Sequence, residues 1–229
     1  MPLRTVFEGN GKSRPRARGR RLASSSPLSA AKSIDVMCAA TLYGRNEEIF
    51  GEGEPAENVY KIESGCVRGY HTLDSGRRQL VAFYLAGDFF GLDAREVHTI
   101  SAEATTTSKV RVIKRKALMA HGNGEMAMIR HLLDMTAAQL RRTQDHNLLL
   151  LVGAQERVIG FLHEMAQRAH SEGAVDLHMP RRDIADYLGL TLETVSRGFS
   201  QFQASGIVQL IDARHVVLVK RRGLEDDAE

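Results

Sequence analysis

Between Gly124 and Gly153 the chain runs for 28 residues without a glycine or a proline, the two residues that most readily interrupt a helix. This predicts one helix over 125–152, more than twice the average globular helix of about 12 residues. Its apolar or small positions step by three and four: Met126, Ile129, Leu133, Thr136, Leu140, Thr143, Asn147 and Leu150. A heptad stripe this narrow needs a second helix to cover it. The simplest partner is its own copy in a parallel homodimer, with Asn147 at a seam position fixing the register. The alternative is packing of the same stripe on the chain's own β-rich domain.

The helix separates two stretches of different texture. Over 34–112, glycines at 44, 51, 53, 65, 69, 76, 87 and 91 punctuate short apolar runs, a pattern of strands and turns. Val59–Ile62, Cys66–Tyr70 and Leu80–Tyr84 read as strands, with Asp74-Ser75-Gly76 as the hairpin turn between the last two. A further pair, 103–108 and 109–114, would complete a small barrel or roll. After Gly153 the pattern is helical: an amphipathic stretch with Val158, Phe161, Leu162 and Met165 on one face, a loop over 170–179, and then two helices around Gly189. Ile207–Leu210 and Val216–Val219 alternate into a hairpin around Asp212-Ala213-Arg214.

Charge is unevenly distributed. Residues 1–33 hold eight Lys and Arg against Glu8, so of a net +3 they carry +7 and the remainder −4. Rich in Gly, Pro, Ser and Arg, this segment cannot bury enough surface to offset its ordering entropy. It is expected to be a disordered basic tail, either a phosphate-binding arm or a solvated leader. No apolar run approaches the roughly 18 residues needed to cross a bilayer, and no apolar core follows the N-terminal arginines as in a signal peptide. The chain is expected in the cytoplasm, off the membrane. The organisation is thus an α+β fold: basic tail 1–33, β-roll 34–124, dimerisation helix 125–152, winged helix-turn-helix 153–223 and acidic tail 224–229.

The helical unit carries the chemistry. A helix of eight residues from Arg181, a three-residue turn containing Gly189, and a helix of thirteen from Leu192 have the proportions of a helix-turn-helix. Ala185 is small where the helices would cross, and Ile184, Leu188, Leu190, Val195, Phe199 and Phe202 would form the inner face. Thr191 can cap the second helix, which puts Leu192, Glu193, Ser196 and Arg197 near its N-terminal end, away from Val195 and Phe199. Arg197 can donate twice to guanine, Glu193 can accept from cytosine N4, and Leu192 or Ser196 can meet a thymine methyl. On an isolated helix Glu193 and Arg197 would read as an i,i+4 surface ion pair. The helix-turn-helix frame favours double-stranded DNA. Arg181, Arg182 and Thr194 are candidate phosphate contacts, with Arg214, Lys220, Arg221 and Arg222 beside them.

Residues 182–197, ending Glu193-Thr194-Val195-Ser196-Arg197, resemble the DNA-binding signature of the CRP/FNR regulators, most of all the FixK-like branch. The likeness extends to Gly53-Glu54-Pro55-Ala56, Val59-Tyr60-Lys61-Ile62, Gly65 to Arg68 and Gly87-Asp88-Phe89-Phe90-Gly91 in the roll. It implies a jelly roll of the cyclic-nucleotide-binding type, a dimer helix and a winged helix-turn-helix. It also implies a homodimer, not an enzyme, that binds a TTGA-N6-TCAA palindrome and recruits RNA polymerase. In FixK-like members the targets are genes of microoxic respiration and nitrogen fixation, and activation is the expected mode.

Two departures from the family pattern bear on the signal. Cyclic-nucleotide members follow the Gly-Asp-Phe segment with a Gly-Glu-Leu turn and an Arg-Ser pair that hold ribose and phosphate. Here Gly91-Leu92-Asp93-Ala94-Arg95-Glu96-Val97-His98 stands instead, with acids where an anion would sit. Oxygen-sensing members carry a cysteine cluster, whereas this chain has Cys38 and Cys66 alone. The expectation is a regulator without cyclic nucleotide, iron-sulfur cluster or other cofactor. It would be effector-independent or modulated through a thiol, Cys38 being the better candidate and Cys66, in a strand, reading as a small core residue; for both, an inert thiol is the favoured reading. Nine histidines show no HxH or HExxH spacing, so no metal is expected. The competing reading is a small-ligand-sensing or cupin-like roll whose helical unit serves protein interaction.

Overall fold

The computed structural model describes residues 40–120, 126–169 and 173–219. The basic tail, Cys38, Lys220, Arg221, Arg222 and the acidic tail lie outside the described residues, as do the side chains of Met126 and Ile129.

Eight strands build the roll: β1 (Ala40–Tyr43), β2 (Glu48–Phe50), β3 (Asn58–Ser64), β4 (Cys66–Thr72), β5 (Arg78–Leu85), β6 (Phe89–Phe90), β7 (Ser101–Ala104) and β8 (Ser108–Lys114). They form two antiparallel sheets, ordered β1-β8-β3-β6 and β2-β7-β4-β5. Alternate residues of both sheets point between them, and Tyr60, Ile62, Phe90 and Val110 of the first meet Phe50, Val67, Tyr84 and Ala102 of the second in one core. The β4–β5 hairpin turns at Asp74-Ser75-Gly76 as its residues predict, with Gly76 N–H donating to the Leu73 carbonyl at 2.7 Å. The stretches 103–108 and 109–114 behave differently from the expected pair. β7 ends at Ala104 and joins β4, whereas β8 begins at Ser108 and joins β3 in the other sheet. The residues between them cross from one sheet to the other, which closes the roll.

Gly65 allows the β3–β4 turn to lie against this crossing. Its φ is +92°, and a Cβ there would sit 2.4 Å from Ser108 Oγ and 2.7 Å from the Thr107 carbonyl. No side chain fits that approach.

A short helix, α1 (Arg115–Ala120), leads to the long helix α2 (Met126–Leu149). α2 uses a stripe one residue displaced from the heptad positions to dock on its own chain. Met135 packs on Val59, Phe89 and Ile113, Arg142 reaches Asp88, buried His146 stacks on Tyr187 at 3.9 Å, and Leu149 meets the C-terminal core. The heptad stripe is left outside: Leu133 is 63% exposed and Leu140 58%, Thr136, Thr143 and Asn147 are exposed, and Leu150 is half-buried.

The C-terminal unit comprises α3 (Ala154–Arg168), β9 (Ala174–Asp176), α4 (Arg181–Leu188), α5 (Leu192–Ala204), β10 (Val208–Leu210) and β11 (His215–Leu218). β10 and β11 pair as the expected hairpin, and β9 adds a third strand along β11, with Val175 opposite Val216. The sequence reads the β9 segment as loop, because three residues with one buried side chain carry no visible alternation. Val158, Phe161, Leu162 and Met165 pack on Ile184, Leu188, Val195, Phe199 and Phe202, and this core continues into Cys66, Tyr70, Leu80 and Phe83 of the roll. Burying these side chains contributes about 1.5–3 kcal/mol each, so the C-terminal unit is seated on the roll rather than tethered to it.

Candidate nucleic-acid interface

α4 and α5 are set against each other by their ends. α4 stops at Gly189, whose left-handed φ of 63° lets its own N–H and that of Leu190 turn back to the Ala185 carbonyl. Two residues on, Thr191 caps α5, its hydroxyl accepting from Thr194 N–H at 3.2 Å. Val195, Gly198, Phe199 and Phe202 are buried, which rotates the opposite face outward. Glu193, Ser196 and Arg197 are exposed and Leu192 is 42% exposed, so the four expected base-reading side chains share one free surface over the first two turns. The Glu193 carboxylate lies below its usual range, lowered by its own backbone N–H and the Thr191 hydroxyl, with no contribution from Arg197. Both heads are therefore available to a partner. Thr194, Arg197 and Gln201 line a shallow cleft against Ala154 and Gln155 at the start of α3.

Arg182 is exposed at the first turn of α4 and Thr194 is half-buried beside the cap. Arg181 is half-buried. Its guanidinium lies 3.1 Å from the centre of the Phe199 ring and donates to the Ala213 carbonyl at 3.4 Å, and burial draws its pKa down to about 10. It holds the hairpin turn onto α5 rather than facing outward. That turn is further ordered by Asp212, which accepts from the Arg214 and His215 amides at 2.7 and 2.8 Å and contacts His215 Nδ1 at 2.5 Å. These bonds lower Asp212 to about 2 and raise His215, whose Nε2 also faces Asp176 at 3.3 Å. Arg214 projects from the same turn and is exposed.

Cys66 sits where a small core residue of a strand is expected, not where a redox sensor would be. It is fully buried and burial pushes its thiol up to about 12, so the thiolate that redox chemistry requires is not formed at neutral pH. Among the described residues no group of three or more His, Cys, Asp or Glu converges as metal ligands, and no helix is long and apolar enough to cross a membrane.

Sequence reasoning missed the charged contacts that seat α4 on the roll. Arg68 of β4 donates to Asp183 of α4 and to Glu103 of β7, each at 2.5 Å, and Arg78 donates to the other Glu103 oxygen at 2.7 Å. Asp183 had a visible signal, being an acid on the buried face of a short amphipathic helix. Its partner, 115 positions away, had none.

Comparison with known proteins gives two family matches, a cyclic nucleotide-binding domain over residues 41–121 and a Crp-like helix-turn-helix domain over 156–227. The nitrogen fixation regulation protein FixK of Azorhizobium caulinodans is 40% identical, the match covering 85% of this chain and 81% of that protein. The protein of the same name from Rhizobium meliloti is 35% identical over 80% of this chain and 83% of its own length. The solved structure of FixK2 from Bradyrhizobium japonicum superposes with a TM-score of 0.76 at 46% identity, covering 81% of this chain and 94% of that one.

Proposed function

This chain belongs to the CRP/FNR family of transcription regulators, and from that membership we propose that it acts as a homodimer on a TTGA-N6-TCAA palindrome to activate transcription. The observation that carries this reading is the outward face of α5: Leu192, Glu193, Ser196 and Arg197 stand exposed at the N-terminal end of a helix whose other face is buried. Each TTGA half-site offers one G·C pair. Arg197 donates to the guanine O6 and N7, Glu193 accepts from the cytosine N4, and Leu192 and Ser196 meet thymine methyls. Arg182 and Thr194 contact phosphates, while Arg181 holds the wing turn from which Arg214 reaches the backbone.

The exposed stripe of α2 supports the homodimer. Leu133, Thr136, Leu140, Thr143 and Asn147 stand free beside the stripe that docks on the roll, so a second copy can cover them without disturbing the intrachain contacts. Met126, Ile129 and Leu150 extend the same seam. RNA polymerase is the further partner, with the roll segment 93–98 as a candidate contact. The relatives' names support nitrogen-fixation genes as targets, and genes of microoxic respiration are proposed beside them.

The roll's residues do not fit a cyclic nucleotide. Phe50, Tyr60, Tyr84, Phe90 and His98 fill its interior with stacked rings, Phe50 and His98 at 3.7 Å. Asp93 is tied to His98 at 2.8 Å and to Thr99, while Arg115 is spent on the Asp93 and Arg95 carbonyls. This packing supports a regulator that acts without a cyclic nucleotide.

Gel-shift titrations on operators with each base pair replaced in turn test the reading. Glu193→Ala is expected to relax discrimination at the G·C pair by about 1–3 kcal/mol; equal binding of all variants at that pair by the unmutated chain refutes it. Leu140→Asp is expected to sediment as a monomer, and a persistent dimer refutes the α2 seam.

A further inference from the structure

The geometry points to Asp88 as the residue that fixes the operator spacing this protein accepts, by joining its three modules at one carboxylate. Asp88 lies in the β5–β6 turn and is 8% exposed. Its Oδ1 faces Arg142 of α2 at 3.2 Å. Its Oδ2 accepts from Arg168 of α3 at 2.5 Å and from the Leu85 amide at 2.8 Å. Arg168 also donates to the Phe83 carbonyl at 2.9 Å and to Glu164 at 3.3 Å. One buried anion thus ties the long helix, the roll and the opening helix of the DNA-reading unit.

This inference rests on the dimeric reading above. With the two-fold axis along α2, the separation and twist of the two α5 helices depend on how α3 is held relative to α2. The covalent link is a short turn ending at Gly153; Leu149 lies against Gly160 and His146 stacks on Tyr187 of α4. These apolar and ring contacts can slide with little loss. The Asp88 junction adds a directional restraint, because its two guanidinium partners approach from α2 and α3 on opposite oxygens. Adding one base pair to a spacer moves the second half-site by about 3.4 Å and rotates it by about a tenth of a turn, so a rigid junction excludes wrong spacers and a loosened one admits them.

The test is competition binding of the full chain and of Arg142→Gln and Asp88→Asn to palindromes with identical half-sites and spacers of five, six, seven and eight base pairs. Arg142→Gln removes the α2 arm and leaves Arg168 on Asp88, so it retains the fold if Asp88→Asn does not. The unmutated protein is expected to prefer one spacer by about tenfold or more, the scale of a strong specificity step. The variants are expected to narrow that preference to about threefold or less, with dimer mass and single half-site binding unchanged. A preference ratio that survives in both variants overturns the assignment, even where all affinities fall together, since that parallel loss marks mere destabilisation. An unmutated protein that binds no palindrome as a dimer refutes the dimeric reading itself, and this one with it.

Discussion

Arg68→Met removes the cation that joins the roll to α4 of the C-terminal unit. The side chains of Arg68, Asp183 and Glu103 are 12%, 9% and 5% exposed, so the contacts are largely desolvated. Breaking a buried ion pair by removing one partner costs about 3–5 kcal/mol. Glu103 keeps Arg78 at 2.7 Å, which leaves Asp183 as the one orphaned carboxylate and places the loss near the lower bound, about 3 kcal/mol. With a urea slope of about 3 kcal/mol/M for a chain of this size, the unfolding midpoint falls by about 1 M. Burial already holds the Asp183 carboxyl above its usual range despite Arg68, and without Arg68 it rises further. A raised folded-state value means the folded protein binds the proton more tightly. The deficit is therefore absent below the unfolded value and grows as pH rises through the folded one, smaller at pH 4 than at pH 7. Adding Asp183→Leu to Arg68→Met removes the stranded charge and is expected to restore most of the loss. Urea unfolding followed by circular dichroism reads all three chains. A deficit under about 1 kcal/mol in the single variant, the scale of an exposed pair, or no recovery in the double refutes the reasoning.

Three further outcomes are expected. Gly65→Ala combines a left-handed φ with contact on backbone atoms of the β7–β8 crossing and is expected to lose about 2–4 kcal/mol of stability in denaturant unfolding; a neutral effect would contradict the packing of that turn. Cys66 is expected to resist thiol reagents at pH 8 in the folded chain and to react after unfolding, since its thiol is buried and held near 12; rapid native labelling at Cys66 would show the roll to be open. His215 is held above its ordinary value and Asp212 at about 2, so the contribution of their ion pair to wing order is present above the ordinary carboxylate value and is lost as pH rises through the histidine's raised one, while the amide bonds to Asp212 persist. A proton-NMR titration is expected to give His215 a pKa above 6.5 that returns toward it in Asp212→Asn; the same value in both chains would remove Asp212 as the cause.

The parts of this fold written in local sequence were readable. Gly189 and Thr191 mark the end of one helix and the start of the next, and α4 and α5 begin and end at the residues those signals give. The exposed face of α5 followed from the spacing of Val195, Phe199 and Phe202. Two stripes on α2 share the same three-four spacing one residue apart, and sequence registers the more apolar of them. The docked stripe uses Gln139, Arg142 and His146, whose place is set by Tyr84, Asp88 and Tyr187 on other elements. The junction contacts were out of reach for the same reason: Arg168 and Asp88 are 80 positions apart, and each looks like an ordinary surface charge until the chain is folded. The stacking of Arg181 on Phe199 was out of reach for the same reason, since it depends on how α4 and α5 cross.

The central claim is that the α5 face reads a specific operator. Its most direct test is an anisotropy titration of the effector-free chain on a TTGA-N6-TCAA duplex and on a scrambled duplex at physiological salt, beside Arg197→Ala. The account predicts selectivity of about a thousandfold or more for the palindrome, lost in Arg197→Ala while the dimer persists. Equal binding to both duplexes, or undiminished selectivity in Arg197→Ala, would contradict it.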